Sequence, residues 1–292
     1  MGLTDGFEHI LRDNEPLAPY TWFRLGGAAE YFAEPTSVEE LGALVKRFRE
    51  NDKSIRLIGG GSNLLIRDEN VPGLVISLSA PAFGRISVDG TAITAGGGAK
   101  LAHVVSTSVR EGLSGLEQLV GIPGTVGGAL HGNAGGHGGD IGQWAQAATV
   151  MTRSGEIISR KQDELHFAYR HSSLDELAIL DARFELEKDD PQQITQRMQK
   201  LWIVRKSQQP MSNQNSGCIF KDSGGMNPSE LIEQAGLKGT RVGQAEVSQR
   251  DPNFFIVSQD AKASDVIGLI DLVRSEVSSR LGIELETQIE IW

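Results

Sequence analysis

Nine of the nineteen residues in Gly121-Ile-Pro-Gly-Thr-Val-Gly-Gly-Ala-Leu-His-Gly-Asn-Ala-Gly-Gly-His-Gly-Gly139 are glycine. Ordering such a run costs backbone entropy. It belongs where main chain must take positive φ repeatedly or approach another group closely. Backbone N–H groups wrapped around a phosphate, or laid against a flat cofactor, have both needs. Ile122, Val126, Ala129 and Leu130 are spaced through the run, and serine and acidic residues are scarce, which argues against a flexible linker. A glycine-tight turn with no ligand is the alternative reading. His131 and His137 lie in the run, but no cysteine or acidic partner stands at matching spacing, so no metal site is expected.

A second glycine loop, Gly59-Gly-Gly-Ser-Asn-Leu-Leu-Ile66, follows the short apolar strand predicted at Ile55–Ile58. It has the opening of a dinucleotide fingerprint, but Leu64 stands where the third glycine belongs, and the residues after it read as strand. Gly96-Gly-Gly-Ala-Lys-Leu has the same defect. A Rossmann domain is therefore disfavoured.

The elements that must position these loops follow from pattern. Ser37 caps a helix, with Glu40 three residues on and Val38, Leu41, Leu44, Val45 and Phe48 along one face. Leu101, Val104, Val105 and Val109 mark a second helix. Strands are predicted at Leu74–Leu78, Ile86–Val88, Ala92–Ala95, Ala148–Thr152, Glu156–Ser159 and Ala178–Leu186, with Ser154-Gly155 as a hairpin turn. The polar joint Glu187–Pro191 reads as a domain boundary, and Asp190, Pro191 and Gln193 open the next helix. Asn227-Pro-Ser-Glu230 opens another. The last helix runs from Ala263 to Leu281 and stops at Gly282, before a final strand Leu285–Trp292.

The chain has 292 residues, room for two or three domains with sizeable cores. Its formal charge of −10 argues against a nucleic-acid partner. No apolar run reaches membrane-spanning length, and the first residues lack a signal-peptide pattern, so no membrane insertion is expected. The single cysteine, Cys218, suits a reducing cytoplasm.

Seven stretches together carry a resemblance. They are Thr21-Trp-Phe-Arg-Leu-Gly-Gly27, Gly59-Gly-Gly-Ser-Asn-Leu-Leu65, Gly121–Ala129 with Asn133-Ala-Gly135, Tyr169-Arg-His-Ser172, Gly217-Cys-Ile-Phe-Lys221, Leu231–Gly239 and Leu285-Glu-Thr-Gln-Ile289. In these stretches, in order and over nearly its whole length, the chain resembles the UDP-N-acetylenolpyruvoylglucosamine reductase (MurB) family. The resemblance implies an α+β fold, with a two-lobed FAD-binding domain of the PCMH/MurB type at 1–80 and 81–188. A C-terminal α/β substrate domain at 189–292 follows. Only about twenty residues separate Tyr169-Arg170 from the helix start at Asp190, so the chain resembles the shorter subclass, without a tyrosine-bearing insert.

The implied enzyme is a UDP-N-acetylmuramate dehydrogenase of peptidoglycan synthesis, a cytoplasmic monomer with non-covalent FAD, NADPH as hydride donor and a UDP-sugar substrate. By resemblance, Gly59, Gly60, Gly61, Ser62, Asn63, Gly121, Ile122, Pro123, Gly124, Thr125, Gly127, Gly128, Ala129 and Asn133 hold the cofactor. Tyr169, Arg170, Asn215, Lys221 and Asn253 hold the substrate. Arg170 is the carboxylate clamp, a role suited to a bidentate guanidinium. Cys218 stands where most members carry a proton-donating serine; a thiol, with an ordinary pKa of about 8.5, is the stronger acid. Gln288 stands where the family has a catalytic glutamate. It can donate a hydrogen bond but cannot release a proton, so the alternative is a flavin- and substrate-binding homologue with weak or no turnover. Glu286 and Glu290 are possible stand-ins, placed on the same face as Gln288 by strand alternation. Gln208 replaces a lysine that contacts the substrate's anionic part; Lys206 or Lys221 can compensate, and Lys238 and Arg241 are further candidates for the diphosphate.

Overall fold

The computed structural model describes residues 2–136, 138–210 and 216–292. Six α-helices lie among them: α1 Val38–Glu50, α2 Leu101–Arg110, α3 Val126–His131, α4 Pro191–Gln208, α5 Pro228–Gln234 and α6 Ala263–Leu281. Helices and strands are mixed along the chain in an α+β arrangement, and the contacts divide it into two compact units.

The first unit comprises Met1–Glu15, Ala29–Gly60 and Pro72–Ile203. Its first sheet has the order Leu11–Pro16, Ala28–Ala33, Val71–Ser77, Ile55–Ile58, the last two parallel. Ser37 Oγ accepts the Glu40 N–H at 3.2 Å and starts α1. The Glu40 carboxylate turns instead to Thr36. Leu41, Leu44, Val45 and Phe48 of α1 then bury against Phe7, Ile10, Leu74, Ile76 and Phe83. The second sheet is antiparallel, in the order Ile157–Lys161, Ala145–Met151, Ala178–Glu185, Ala92–Gly96, Ile86–Asp89. Its core gathers Ile93, Val104, Val105, Val126, Leu130, Val150 and Phe184.

The second unit comprises Pro16–Ala28, Gly61–Val71 and Val204–Trp292. Two early segments therefore complete a unit made mostly of late sequence, an arrangement different from a cut of the chain at residues 80 and 188. Its antiparallel sheet has the order Ser216–Cys218, Phe254–Val257, Ala245–Val247, Arg241–Val242. Phe23, Leu25 and Leu65 share a core with Phe220, Phe255, Val266, Ile270 and Val273. Asp68 accepts the N–H groups of Ala263 and Ser264 at 2.8 and 3.0 Å, covering the first turn of α6. Burial pushes the Asp68 carboxyl up, but those two N–H groups, the Ser264 side chain and the Lys262 charge together outweigh it and hold the pKa below the ordinary value.

The final strand is shorter than its pattern predicts. Only Glu290–Ile291 pairs as strand, in parallel with Leu64–Leu65. The N–H groups of Gln288 and Ile289 both reach the carbonyl of Ile219, at 2.7 and 3.4 Å. Two consecutive residues sharing one partner form a bulge, which interrupts the alternation expected to align Glu286, Gln288 and Glu290. Among the described residues no helix is long and apolar enough to cross a membrane.

Candidate functional site

In the first unit the glycine loops meet back to back. The strand Ile55–Ile58 opens into Gly59-Gly60. A Cβ on Gly59 would stand 2.7 Å from Thr125 Oγ1, and one on Gly60 2.6 Å from Gly124 Cα. These two glycines are thus explained by packing of one loop on the other. Gly121 and Gly124 take φ of +79° and +112°, conformations that an L side chain strains to reach. The third glycine run, given no role at the sequence level, is the backing of the second. Gly124 O accepts from Leu101 N, Ala99 O from Val126 N and Gly97 O from Gly127 N, at 2.8 to 3.0 Å. Gly97 itself lies against the carbonyl of Ile179.

Thr125 caps α3, and its Oγ1 accepts the Gly128 N–H at 3.4 Å. Gly128 differs from Gly59, Gly60, Gly121 and Gly124. It is exposed, its φ is unstrained, and a Cβ there would meet nothing nearer than Thr125 Oγ1 at 3.6 Å. No packing contact demands glycine at this position, so its main chain is open to a ligand. From Gly121 to Ala129 no side chain is charged, and Gly121 to Thr125 are all partly exposed. Bare main chain and small side chains of this kind fit FAD, with its diphosphate and flat ring, better than a metal or a free inorganic anion.

The same unit carries Arg170 on a tight hairpin. Phe167–Ala168 and His171–Ser172 pair antiparallel, leaving Tyr169 and Arg170 as the two turn residues. Arg170 sits at φ +54°, where a turn normally takes glycine or asparagine. Left-handed backbone costs about 1–2 kcal/mol in a residue with a side chain, so the surroundings must impose it. They do so from α3 and the chain after it. Asn133, 2% exposed, donates through Nδ2 to Ala168 O at 2.8 Å, while its Oδ1 accepts Gly142 N–H at 3.1 Å. Ser172 Oγ donates to His131 O at 2.9 Å.

The guanidinium reaches Gly135 O through Nη1 at 3.0 Å and lies over the exposed Tyr169 ring, 5.3 Å from its centroid. Its Nε is buried with no hydrogen-bond partner, and no carboxylate pairs with it among the described residues. Asn133, expected at the cofactor, thus has its side chain committed to holding this hairpin. The His131 ring bonds Leu174 O at 2.9 Å. His137 lies outside the described residues.

In the second unit, Gly61 takes φ +61°, and a Cβ there would strike the carbonyl of Tyr20. Ser62 is half-buried. Asn63 Nδ2 donates to Gln288 O at 3.0 Å, so a residue expected at the cofactor pins the backbone of one expected in catalysis. Gln288 N bonds Ile219 O at 2.7 Å, which ties it one residue from Cys218. Cys218 ends the strand Ser216–Cys218; Gly217 beside it packs its backbone on the Phe23 ring. Asn253 Nδ2 donates to Cys218 Sγ at 3.3 Å.

Asn253 is 7% exposed, and its amide is taken up by Phe220 and Cys218. Lys221 is already paired with Glu286 at 2.5 Å, Lys238 with Glu233 and Arg241 with Glu246. Burial pushes the Asp251 carboxyl up, against hydrogen bonds from Ser229 and the Asn253 N–H. Asn215 lies outside the described residues. What the sequence reading missed are the support roles of the two asparagines and of Gly96–Ala99. Their partners lie far along the chain, and no local spacing signals them.

Comparison with known proteins gives consistent results in both halves of the chain. Residues 29–160 match the FAD binding domain model, and residues 209–292 match the model of the UDP-N-acetylenolpyruvoylglucosamine reductase C-terminal domain. The UDP-N-acetylenolpyruvoylglucosamine reductase of Rhodopirellula baltica is 38% identical, across 97% of this chain and 93% of its own. That of Exiguobacterium sibiricum is 39% identical, across 99% and 96%. The crystal structure of the Thermus caldophilus reductase superimposes with a TM-score of 0.82 at 35% identity, covering 95% of this chain and 97% of its own.

Proposed function

Because this chain belongs to the UDP-N-acetylenolpyruvoylglucosamine reductase family, we infer that it reduces UDP-N-acetylenolpyruvoylglucosamine to UDP-N-acetylmuramate, a step of peptidoglycan precursor synthesis. FAD held by the glycine loops would supply hydride chemistry between NADPH and the enolpyruvyl double bond. The chain's own residues must then manage charge and a proton. Gly59, Gly60 and Gly121–Ala129 offer main chain to the cofactor, with Gly61, Ser62 and Asn63 continuing the first loop. Arg170 holds the substrate carboxylate, whose charge grows as the adjacent carbon becomes enol-like; a preset guanidinium stabilises that charge without reorganising. Cys218 delivers a proton to the same carbon from its thiol. Gln288 donates a hydrogen bond to the enol-like oxygen.

The observation that carries this reading is Arg170. It is held in left-handed backbone, with a buried unpartnered Nε and no carboxylate among the described residues to neutralise it. Such a group is poised for an anion brought from outside. Tyr169 and Lys221 lend further contacts to the UDP-sugar, Lys221 by exchanging Glu286 for substrate. We assign the protein to the cytoplasm as a monomer. The test is direct: purify the protein, record its flavin spectrum, bleach it anaerobically with NADPH and add the enolpyruvyl sugar nucleotide. The colour returns if the reading holds; a flavin that stays bleached overturns it.

Gln288 itself favours a second reading, a homologue that binds flavin and substrate but turns over weakly. Losing a donor to a developing oxyanion costs about 2.7–4 kcal/mol. Gln288 keeps the donor and loses only acidity, so Gln288→Glu should change the rate less than about tenfold. A much larger rise would favour the weak-turnover reading.

A further inference from the structure

We propose that Asn253 is a positioning residue that fixes the Cys218 thiol for proton delivery. The proposal rests on the reading of Cys218 as proton donor. The strand Ser216–Cys218 pairs with Phe254–Val257, and the last matched pair is Cys218 with Phe254. Beyond that pair the ladder continues through a side chain. Asn253 O accepts the Ile219 N–H at 3.0 Å. Asn253 Oδ1 accepts the Phe220 N–H, and Nδ2 donates to Phe220 O, both at 2.9 Å. The amide thus trades both bonds with Phe220, as a facing backbone residue would in an antiparallel pair. The second Nδ2 hydrogen points at Cys218 Sγ, 3.3 Å away.

Asn253 is itself held: its N–H bonds Asp251 Oδ1 at 3.1 Å, and that carboxylate also takes the Ser229 hydroxyl. An N–H arriving at sulfur occupies a lone pair there, so the thiol hydrogen must lie on another side, and the side-chain rotamer is fixed with it. Only an amide of this length offers an acceptor to Phe220 and donors to both Phe220 and the sulfur. Aspartate matches its shape but has no N–H.

The test separates positioning from mere support by a double-mutant cycle on the FAD-loaded enzyme. Asn253→Ala is compared alone and combined with Cys218→Ala, and two half-reactions are followed by stopped-flow: flavin bleaching by NADPH, and recolouring by the enolpyruvyl sugar nucleotide. The expected result is that Asn253→Ala slows recolouring about ten- to a hundredfold, leaves bleaching within about twofold, and raises the solvent deuterium isotope effect on recolouring. In the Cys218→Ala background it should add nothing further. Equal slowing of recolouring in both backgrounds, slowing of both half-reactions together, or no slowing at all overturns the proposal. If Cys218→Ala alone leaves recolouring unchanged, it is the proton-donor reading that fails, a distinct outcome. Should Asn253→Ala not fold, Asn253→Ser, small, neutral and still able to donate and accept, is read in the same cycle.

Discussion

Asn133 in the first unit and Asn253 in the second do comparable work by different routes. Each is buried, and each spends its amide on protein partners. Asn253 touches the sulfur of Cys218 directly. Asn133 never reaches the guanidinium of Arg170; it grips the backbone two residues earlier, at Ala168, and so sustains a left-handed turn. The difference follows from the groups being held. A thiol on a regular strand is short, with only χ1 and the S–H rotor to set, so a contact at the sulfur itself is effective. An arginine has a long, flexible side chain, and its reach is controlled most firmly where its backbone leaves the hairpin.

The largest effect that could break this comparison is expected from Arg170→Gly. Recolouring of the flavin by substrate should fall at least about a hundredfold, since a charge-stabilising group is lost. Melting temperature should hold or rise, because glycine accepts the left-handed turn without strain. A fall in both would make Arg170 a structural residue. Asn133→Ala should come next. It strands Ala168 O and Gly142 N–H, costing about 1–3 kcal/mol in chemical denaturation, and it should weaken substrate binding through the loosened hairpin. Stability loss with unchanged KM would leave the hairpin independent of Asn133.

Gly128→Ala sharpens the contrast between glycines. The apoprotein should be unharmed or gain up to about 1 kcal/mol from helix propensity, while retention of FAD through gel filtration falls. Gly60→Ala, whose Cβ would meet Gly124 Cα, should instead damage the apoprotein. The smallest effect is assigned to the second unit. Asp68→Ala should cost about 1 kcal/mol by uncovering the start of α6. Because the Asp68 pKa is lowered on folding, its contribution is fully present above the unfolded carboxyl value. It is lost as pH falls through the lower folded value. A difference between Asp68→Ala and the parent that persists in strong acid would contradict that assignment.

Much of the scaffold was legible because helix ends announce themselves locally. Ser37, Asp190, Asn227 and Gly282 cap or stop the helices their patterns foretold. The hairpin around Ser154-Gly155 forms as its turn chemistry implies. The strand Leu11–Pro16 was not foreseen: its polar sequence, Leu-Arg-Asp-Asn-Glu-Pro, has no apolar alternation to read. Nor could pattern anticipate the bulge at Gln288, which depends on a carbonyl at Ile219. Local sequence identified Arg170 and Cys218 by family motif, yet what orients them comes from residues 35 positions or more away.

The make-up of the second unit bears on synthesis. Phe23, Leu25, Leu65 and Asp68 leave the ribosome early, yet their neighbours lie beyond residue 204. Those side chains must wait, uncovered, through the translation of more than a hundred codons. A gene fragment starting at Val204 would encode a protein short of part of its own interior.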